Sequence, residues 1–164
     1  MLEQIKAGVS RQIKELSVPS NMRPAAVLCL ILGEGASLSI LLTKRAKHLN
    51  QHAGQMSFPG GKLDHQDKTI VDTALREANE EIGLASDEVD VLGYLSPVVT
   101  TTGFHISPVV GYFPASPDQA MKTLKHNPIE VEEIQISPLS LYLDPNHYHR
   151  SEYKTITGSR SFWE

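Results

Sequence analysis

The chain has a single cysteine in 164 residues, which excludes an intrachain disulfide. Cys29 lies inside an apolar run, where a free thiol behaves as a small buried hydrophobe. No apolar run reaches the roughly 18–20 residues that a membrane span needs. The N-terminus shows no apolar leader and reads as a mixed polar helix. There is no excess of positive charge: 15 Lys and Arg stand against 19 Asp and Glu, for a net charge of −4. That balance gives no general pull toward nucleic acid or anionic membrane. Internal repeats and low-complexity segments are also missing. These absences leave a cytoplasmic globular protein with no nucleic-acid or membrane partner as the expectation. Its 40% apolar and 21% charged content suits one domain with an ordinary core.

What is present concentrates in 58–84, FPGGKLDHQDKTIVDTALREANEEIGL. Gly60 and Gly61 allow close approach to the main chain. A helix follows, with Asp67 or Thr69 as its cap and acids at its positive end. Ile70, Ala74, Leu75, Ala78 and Ile82 recur at helical spacing and predict a core-facing stripe. Gly83 is a natural stop. Glu77, Glu80 and Glu81 then crowd one arc of the last two turns. Like charges at i,i+3 and i,i+4 cost about 0.2–0.5 kcal/mol each, and carboxylates near a helix C-terminus oppose the macrodipole by roughly 0.3–1 kcal/mol each. Arg76 relieves part of this by pairing with Glu80 at i+4. Two readings remain open on these residues: a solvated acidic face with one salt bridge, or oxygen ligands for a hard divalent cation.

Upstream, Lys44, Arg45, Lys47 and His48 form a basic loop that runs through His52 into the glycine turn. Cations there suit phosphates, and Arg45 outranks Lys44 because a guanidinium binds phosphate in two-point fashion.

Gly61, Asp67 and the ending Arg76-Glu77-Ala78-Asn79-Glu80-Glu81-Ile82-Gly83-Leu84 resemble the signature of the Nudix hydrolases. Asp67 stands where the general pattern has Glu, and the run from Gly61 to Arg76 is one residue longer. Both features are similar to the coenzyme A pyrophosphatase branch. So are Leu41-Leu42-Thr43-Lys44-Arg45 and the stretch from Leu49 through Gln51, His52 and Phe58 to Gly61. The resemblance implies an α/β fold, an α/β/α sandwich with a mixed sheet and a loop-helix-loop catalytic motif. It implies an enzyme that uses Mg²⁺ or Mn²⁺ to hydrolyse the pyrophosphate bond of coenzyme A or its acyl derivatives. Carried residue by residue, it implies metal binding by Glu77, Glu81, Glu80 and the Gly61 carbonyl, and catalysis by Glu77, Glu80 and the late acid Glu130. Arg45, His52 and Gly60 fall on the substrate side, with Arg76 as structural support. Two rivals stay open: another nucleoside-diphosphate activity such as ADP-ribose hydrolysis, and a non-catalytic nucleotide-binding module.

The remaining chain is read more coarsely. Residues 1–24 form an amphipathic helix (Met1 to Leu16, with Leu2, Ile5, Val9, Ile13 and Leu16 on one stripe) and a linker; 25–164 form the domain. Ala25 to Leu32 and Leu38 to Thr43 predict a hairpin. Val89 to Tyr94 predicts a strand, 97–106 a strand-turn-strand, and Pro108 to Phe113 a further strand. Phe104 or His105 could touch an adenine or pantetheine unit, or simply be sheet residues. Glu132 and Glu133 read as solvated. Residues 136–145 look like a short helix or turn, and Tyr153 to Ile156 like a strand. A last helix, usual in such relatives, is missing. Its absence predicts open apolar surface, answered by truncation, a homodimer partner or the N-terminal helix.

Overall fold

The computed structural model describes residues 1–11, 18–35, 37–49, 52–155 and 158–163, the last stretch from 153 by its backbone alone. In chain order the elements are α1 (Leu2–Gly8), β1 (Arg23–Leu32), β2 (Ser39–Arg45), β3 (Met56–Ser57), β4 (Gly60–Lys62), α2 (Ile70–Ile82), β5 (Asp90–Tyr94), β6 (Val98–Val99), β7 (Phe104–Phe113), α3 (Pro117–Thr123), β8 (Val131–Pro138), α4 (Ser140–Leu143), β9 (Arg150–Thr155) and β10 (Gly158–Trp163).

β1 is the axis. It runs parallel to β7 along its whole length, from Arg23 beside Phe104 to Leu32 beside Phe113. Its sequence is a nearly unbroken apolar run because both of its faces are covered. Strand alternation sends Ala26, Leu28, Leu30 and Leu32 to one side, where they pack with Ala74, Ala78 and Ile82 of α2 and Ala120 of α3. Cys29 and Ile31 go to the other side, with Leu2 and Ile5 of α1 and the following Val9. The result is a mixed sheet between helices, as expected. Burial pushes the Cys29 thiol up to about 12, which agrees with an inert structural cysteine. Among the described residues no helix is long and apolar enough to cross a membrane.

The predicted hairpin forms, but it opens early. β1 and β2 pair only at Ile31 with Ile40 and Leu32 with Ser39. Below that the strands part, and 56–62 fills the gap. β3 pairs with β2 through Ser57 and Thr43, and β4 pairs with β1 through Gly61 and Ala26. β8 takes the outer edge of β2.

Four local expectations are corrected. α1 stops at Gly8 because Val9 is extended and Ser10 exchanges backbone bonds with Tyr94 (2.9 and 3.0 Å). Ile13 and Leu16 fall outside the described residues. Residues 104–113 are one strand, not two, since Pro108 lacks only an N–H and its carbonyl still accepts from Leu95 (3.1 Å). β8 runs on to Pro138, paired with Ser39, so helix begins only at Ser140. α3 was not foreseen, although Ser116, Pro117 and Gln119 spell a capping box with proline at its first turn. At the C-terminal end β9 and β10 form an antiparallel hairpin, and no helix follows among the described residues.

Candidate active site

The acidic helix is fixed in phase at both ends. Thr69, not Asp67, is the cap: its hydroxyl accepts from the Asp72 N–H (3.2 Å), and the Asp72 carboxylate accepts from the Thr69 N–H (2.8 Å). Gly83 ends the helix at φ 70°, in the left-handed region that glycine tolerates. Between these limits the apolar stripe faces β1, and the glutamates are turned toward the wedge of β3 and β4.

Each glutamate has a different setting. The Glu77 carboxylate lies directly over Gly61, where any β-carbon would collide with it. Glu81 is 3% exposed. It accepts a bond from the Gly60 N–H and a long one from the Thr43 hydroxyl (3.5 Å). The Glu80 side chain is 49% exposed and pairs with Arg76 at 3.2 Å.

The charges of this group oppose one another. Burial, and then the charges of Glu77 and Glu130, push the Glu81 carboxyl up to about 7, against the pull of Arg45. Glu77 is raised as well, chiefly by burial, with Glu80 and Glu130 adding to it and Arg76 opposing. Glu130 is therefore brought within electrostatic reach of the helix acids. Its turn is held by its own N–H to the Asn127 carbonyl (3.0 Å), by Asn127 N–H to the Glu81 carbonyl (2.8 Å), and by Ala46 N–H to the Glu130 carbonyl (2.9 Å).

Asp67 has a role the helix pattern did not disclose. Its carboxylate is 4% exposed and accepts from Arg76 Nε and Nη2 (3.0 Å each), Thr73 Oγ1 (2.9 Å) and Asp64 N–H (2.9 Å). The Arg76 guanidinium holds it down at about 2. Helical spacing predicts Glu80 as the partner of Arg76; its leading partner is Asp67, with Glu77 (3.0 Å), Glu80 (3.2 Å) and the Lys62 carbonyl (3.1 Å) also in reach. Thr43 was not foreseen as a site residue either. No local signal marks a strand threonine that meets a helix acid 38 residues later.

On the basic side the loop divides. Lys44 and Lys47 pair with Glu132 (3.6 and 3.0 Å), so Glu132 is not merely solvated. Arg45 follows a register shift in β2, and its buried Nε has no hydrogen-bond partner among the described residues. It is a cation beside Glu81 with a donor to spare. His52 adopts φ 56° on an exposed turn, and its Nδ1 bonds Gln55 Oε1 (2.8 Å). That turn hangs on Arg45 through Arg45 N–H to the Gln55 carbonyl (2.9 Å) and Gly54 N–H to the Arg45 carbonyl (3.0 Å). No bond among the described residues ties His52 to the carboxylates. Gly60 fits because its β-carbon position is filled by the Ala26 carbonyl and Val27, and Leu28 N–H donates to Pro59 (2.8 Å).

As they stand, no three His, Cys, Asp or Glu side chains among the described residues are gathered closely enough to hold an ion. The donor set nonetheless fits a hard cation. It is all carboxylate and carbonyl oxygen, and its buried members raise one another's affinity for positive charge.

Comparison with known proteins places this arrangement. The NUDIX domain profile matches residues 22–156.

The chain belongs to the Nudix family.

Its similar relatives include proteins named "Uncharacterized Nudix hydrolase NudL". That of Photorhabdus laumondii is 43% identical over 129 residues, covering 79% of this chain and 66% of the relative. That of Yersinia pestis (strain Pestoides F) is 45% identical over 97 residues, covering 59% and 48%. The chain thus spans about half to two thirds of the length of these curated relatives. Among solved structures, the Nudix hydrolase RenU from M. smegmatis superposes with a TM-score of 0.60 at 23% identity, covering 74% of each chain. The NUDIX domain of Shewanella oneidensis NrtR, complexed with ADP ribose, gives 0.54 at 18%, covering 87% of each. At such identities these structures establish the shared Nudix fold.

Proposed function

We propose that this Nudix domain hydrolyses the pyrophosphate bond of coenzyme A or its acyl derivatives. The products are 3′,5′-adenosine bisphosphate and 4′-phosphopantetheine or its acylated form. The observation that supports hydrolysis is one juxtaposition: buried Glu81 accepts from the Gly60 N–H within electrostatic reach of Glu77 and Arg45, and Glu77 lies over Gly61. Acids that need a cation and a cation that needs an anion meet at a main chain stripped of side chains. The coenzyme A class rests on the similarity of Leu41 to Arg45 and Leu49 to Gly61 to that branch.

Glu77 and Glu81 would hold Mg²⁺ or Mn²⁺, with Glu80 and the Gly61 carbonyl completing the set. When bound, the ion offsets diphosphate charge and makes water easier to deprotonate. The chain's residues do the rest. Arg45, whose Nε has no partner among the described residues, binds phosphate oxygens through its guanidinium. Gly60 and the His52 turn shape the substrate side. Glu130 or Glu80 accepts the proton of the attacking water. One water adds across the P–O–P bridge, one P–O bond breaks, and each product leaves as a phosphate monoester. Arg76, anchored by Asp67, keeps Glu77 and Glu80 in position.

The test is turnover of coenzyme A during Mg²⁺ and Mn²⁺ titration, with both products identified by mass. Metal-dependent release of the bisphosphate is expected, and Glu77→Gln should abolish it while the protein stays folded. Turnover of ADP-ribose with none of coenzyme A would overturn the substrate, and full activity in chelator would overturn the mechanism.

A further inference from the structure

Thr43 lies inside the sheet, between Ser57 of β3 and Ile134 of β8, and is 1% exposed. Strand alternation puts it on the same face as Leu41, which packs in the core with Ala74, Ala78 and Ile82 of α2. Valine has the same shape and would suit such a position. A hydroxyl buried there costs stability unless it is bonded. Its partners are the Ser57 carbonyl at 3.3 Å and Glu81 Oε2 at 3.5 Å. One proton serves both acceptors. The carboxylate is the stronger acceptor of the two when ionised, as a metal ligand must be.

Glu81 has use for that donor. It is buried, and it already accepts from the Gly60 N–H. The last torsion of a glutamate side chain is broad, so a single donor leaves the carboxylate plane free to turn. A second donor from another direction fixes it. Gly60 pairs with β1 through Val27, whereas Thr43 belongs to β2. The Glu81 carboxylate is therefore held from both of the strands that part around 56–62. An ionised carboxylate offers about four lone-pair sites, so these two bonds leave others for a cation.

We propose that Thr43 is a positioning residue of the metal centre: its hydroxyl donates to Glu81 and fixes the plane in which that carboxylate meets a divalent cation. It touches neither substrate nor attacking water. The role rests on the metal site proposed above and is independent of which diphosphate is cleaved.

The test is metal binding by the full chain. Free Mn²⁺ is measured by electron paramagnetic resonance during titration of wild type, Thr43→Val, Thr43→Ser and Thr43→Ala, beside thermal melts in chelator. In Thr43→Val the Mn²⁺ dissociation constant should rise about 10–100-fold, and in Thr43→Ser by less than about threefold. The melting temperature of Thr43→Val in chelator should match or exceed that of wild type, because the apolar packing is kept. Serine and alanine differ only in the hydroxyl oxygen, so that pair gives the same comparison if the valine variant does not fold; alanine should bind Mn²⁺ as weakly as valine does. Wild-type affinity in the hydroxyl-free variants would overturn the role and leave the metal reading standing. Equal weakening in serine and alanine would overturn it too, since the lost methyl and not the hydroxyl would then be the cause. Wild type that binds no Mn²⁺ would overturn the metal reading and this role together.

Discussion

Arg76 and Asp67 are joined by two parallel bonds, Nε to Oδ1 and Nη2 to Oδ2, each 3.0 Å long. The same guanidinium reaches Glu77 and Glu80 through Nη1. One side chain thus ties the loop after the glycine turn to the acid cluster on α2. The order of strength follows from burial: the Asp67 carboxylate is 4% exposed, whereas the Glu80 side chain is 49% exposed. Desolvated two-point pairs outweigh solvated single ones.

Asp67→Asn should therefore injure both stability and activity. It removes one partner of a largely buried pair and leaves Arg76 free to neutralise Glu77 and Glu80 more fully. We expect a loss of about 2–3 kcal/mol in chemical denaturation and at least a tenfold fall in kcat/KM. Unchanged kinetics in a destabilised protein would show that Arg76 does not position the acids.

The same pair makes a statement about acid. Asp67 titrates at about 2 in the fold against an ordinary 3.8. A depressed acid stabilises the fold above its unfolded pKa, and that contribution is lost as pH falls through the folded one. The stability gap between wild type and Asp67→Asn should hold from neutral pH down to about 4, then close toward pH 2. It should lose up to about 2 kcal/mol on the way. Urea midpoints of both proteins across that range check it.

The two glycines should respond differently to alanine. At Gly61 the new methyl meets the Glu77 carboxylate, a side chain that can swing away; at Gly60 it meets the Ala26 carbonyl and Val27 backbone, which cannot. Gly61→Ala should keep its melting temperature within a few degrees and lose about 10²-fold in kcat. Gly60→Ala should lose about 1–3 kcal/mol of stability. Thermal melts set beside steady-state rates separate the two outcomes.

Glu81→Gln should trade function for stability. In metal-free protein Glu81 titrates at about 7 against an ordinary 4.5. A raised acid costs stability as pH climbs from the unfolded value, and the cost is complete above the folded one. The glutamine variant should match wild type near pH 4 and exceed it by about 1–3 kcal/mol at pH 8, both in chelator. Its turnover should fall at least 10³-fold. A variant less stable than wild type at pH 8 would show that Glu81 is satisfied without a cation.

Local chemistry made α2 legible. Thr69, the apolar stripe and Gly83 are all contained in one short segment, and the structure starts and stops the helix where they indicate. The acid cluster was equally readable, because helical spacing alone brings Glu77, Glu80 and Glu81 together. The Asp67–Arg76 pair was not. A rule for i,i+4 neighbours led from Arg76 to Glu80, and the stronger partner lies in a loop whose path no periodicity gives. The parting of β1 from β2 was hidden for the same reason. It depends on 56–62 finding partners on two strands, and sequence spacing carries no record of that. The register that sets Arg23 beside Phe104 needs a parallel pairing across some 80 positions of chain. α3 is a different case, since Ser116, Pro117 and Gln119 carry its start signal within four residues of sequence.

The wedge of 56–62 between two parted strands has a mechanical consequence. The segment that would cradle the diphosphate is also the splint of the sheet: Leu28 hangs its N–H on Pro59, and Val27 lies beside Gly60. Opening this cradle widely would mean unzipping the middle of the molecule. Ligand entry must then be governed by the turns at its rim, while its floor stays as rigid as the core beneath.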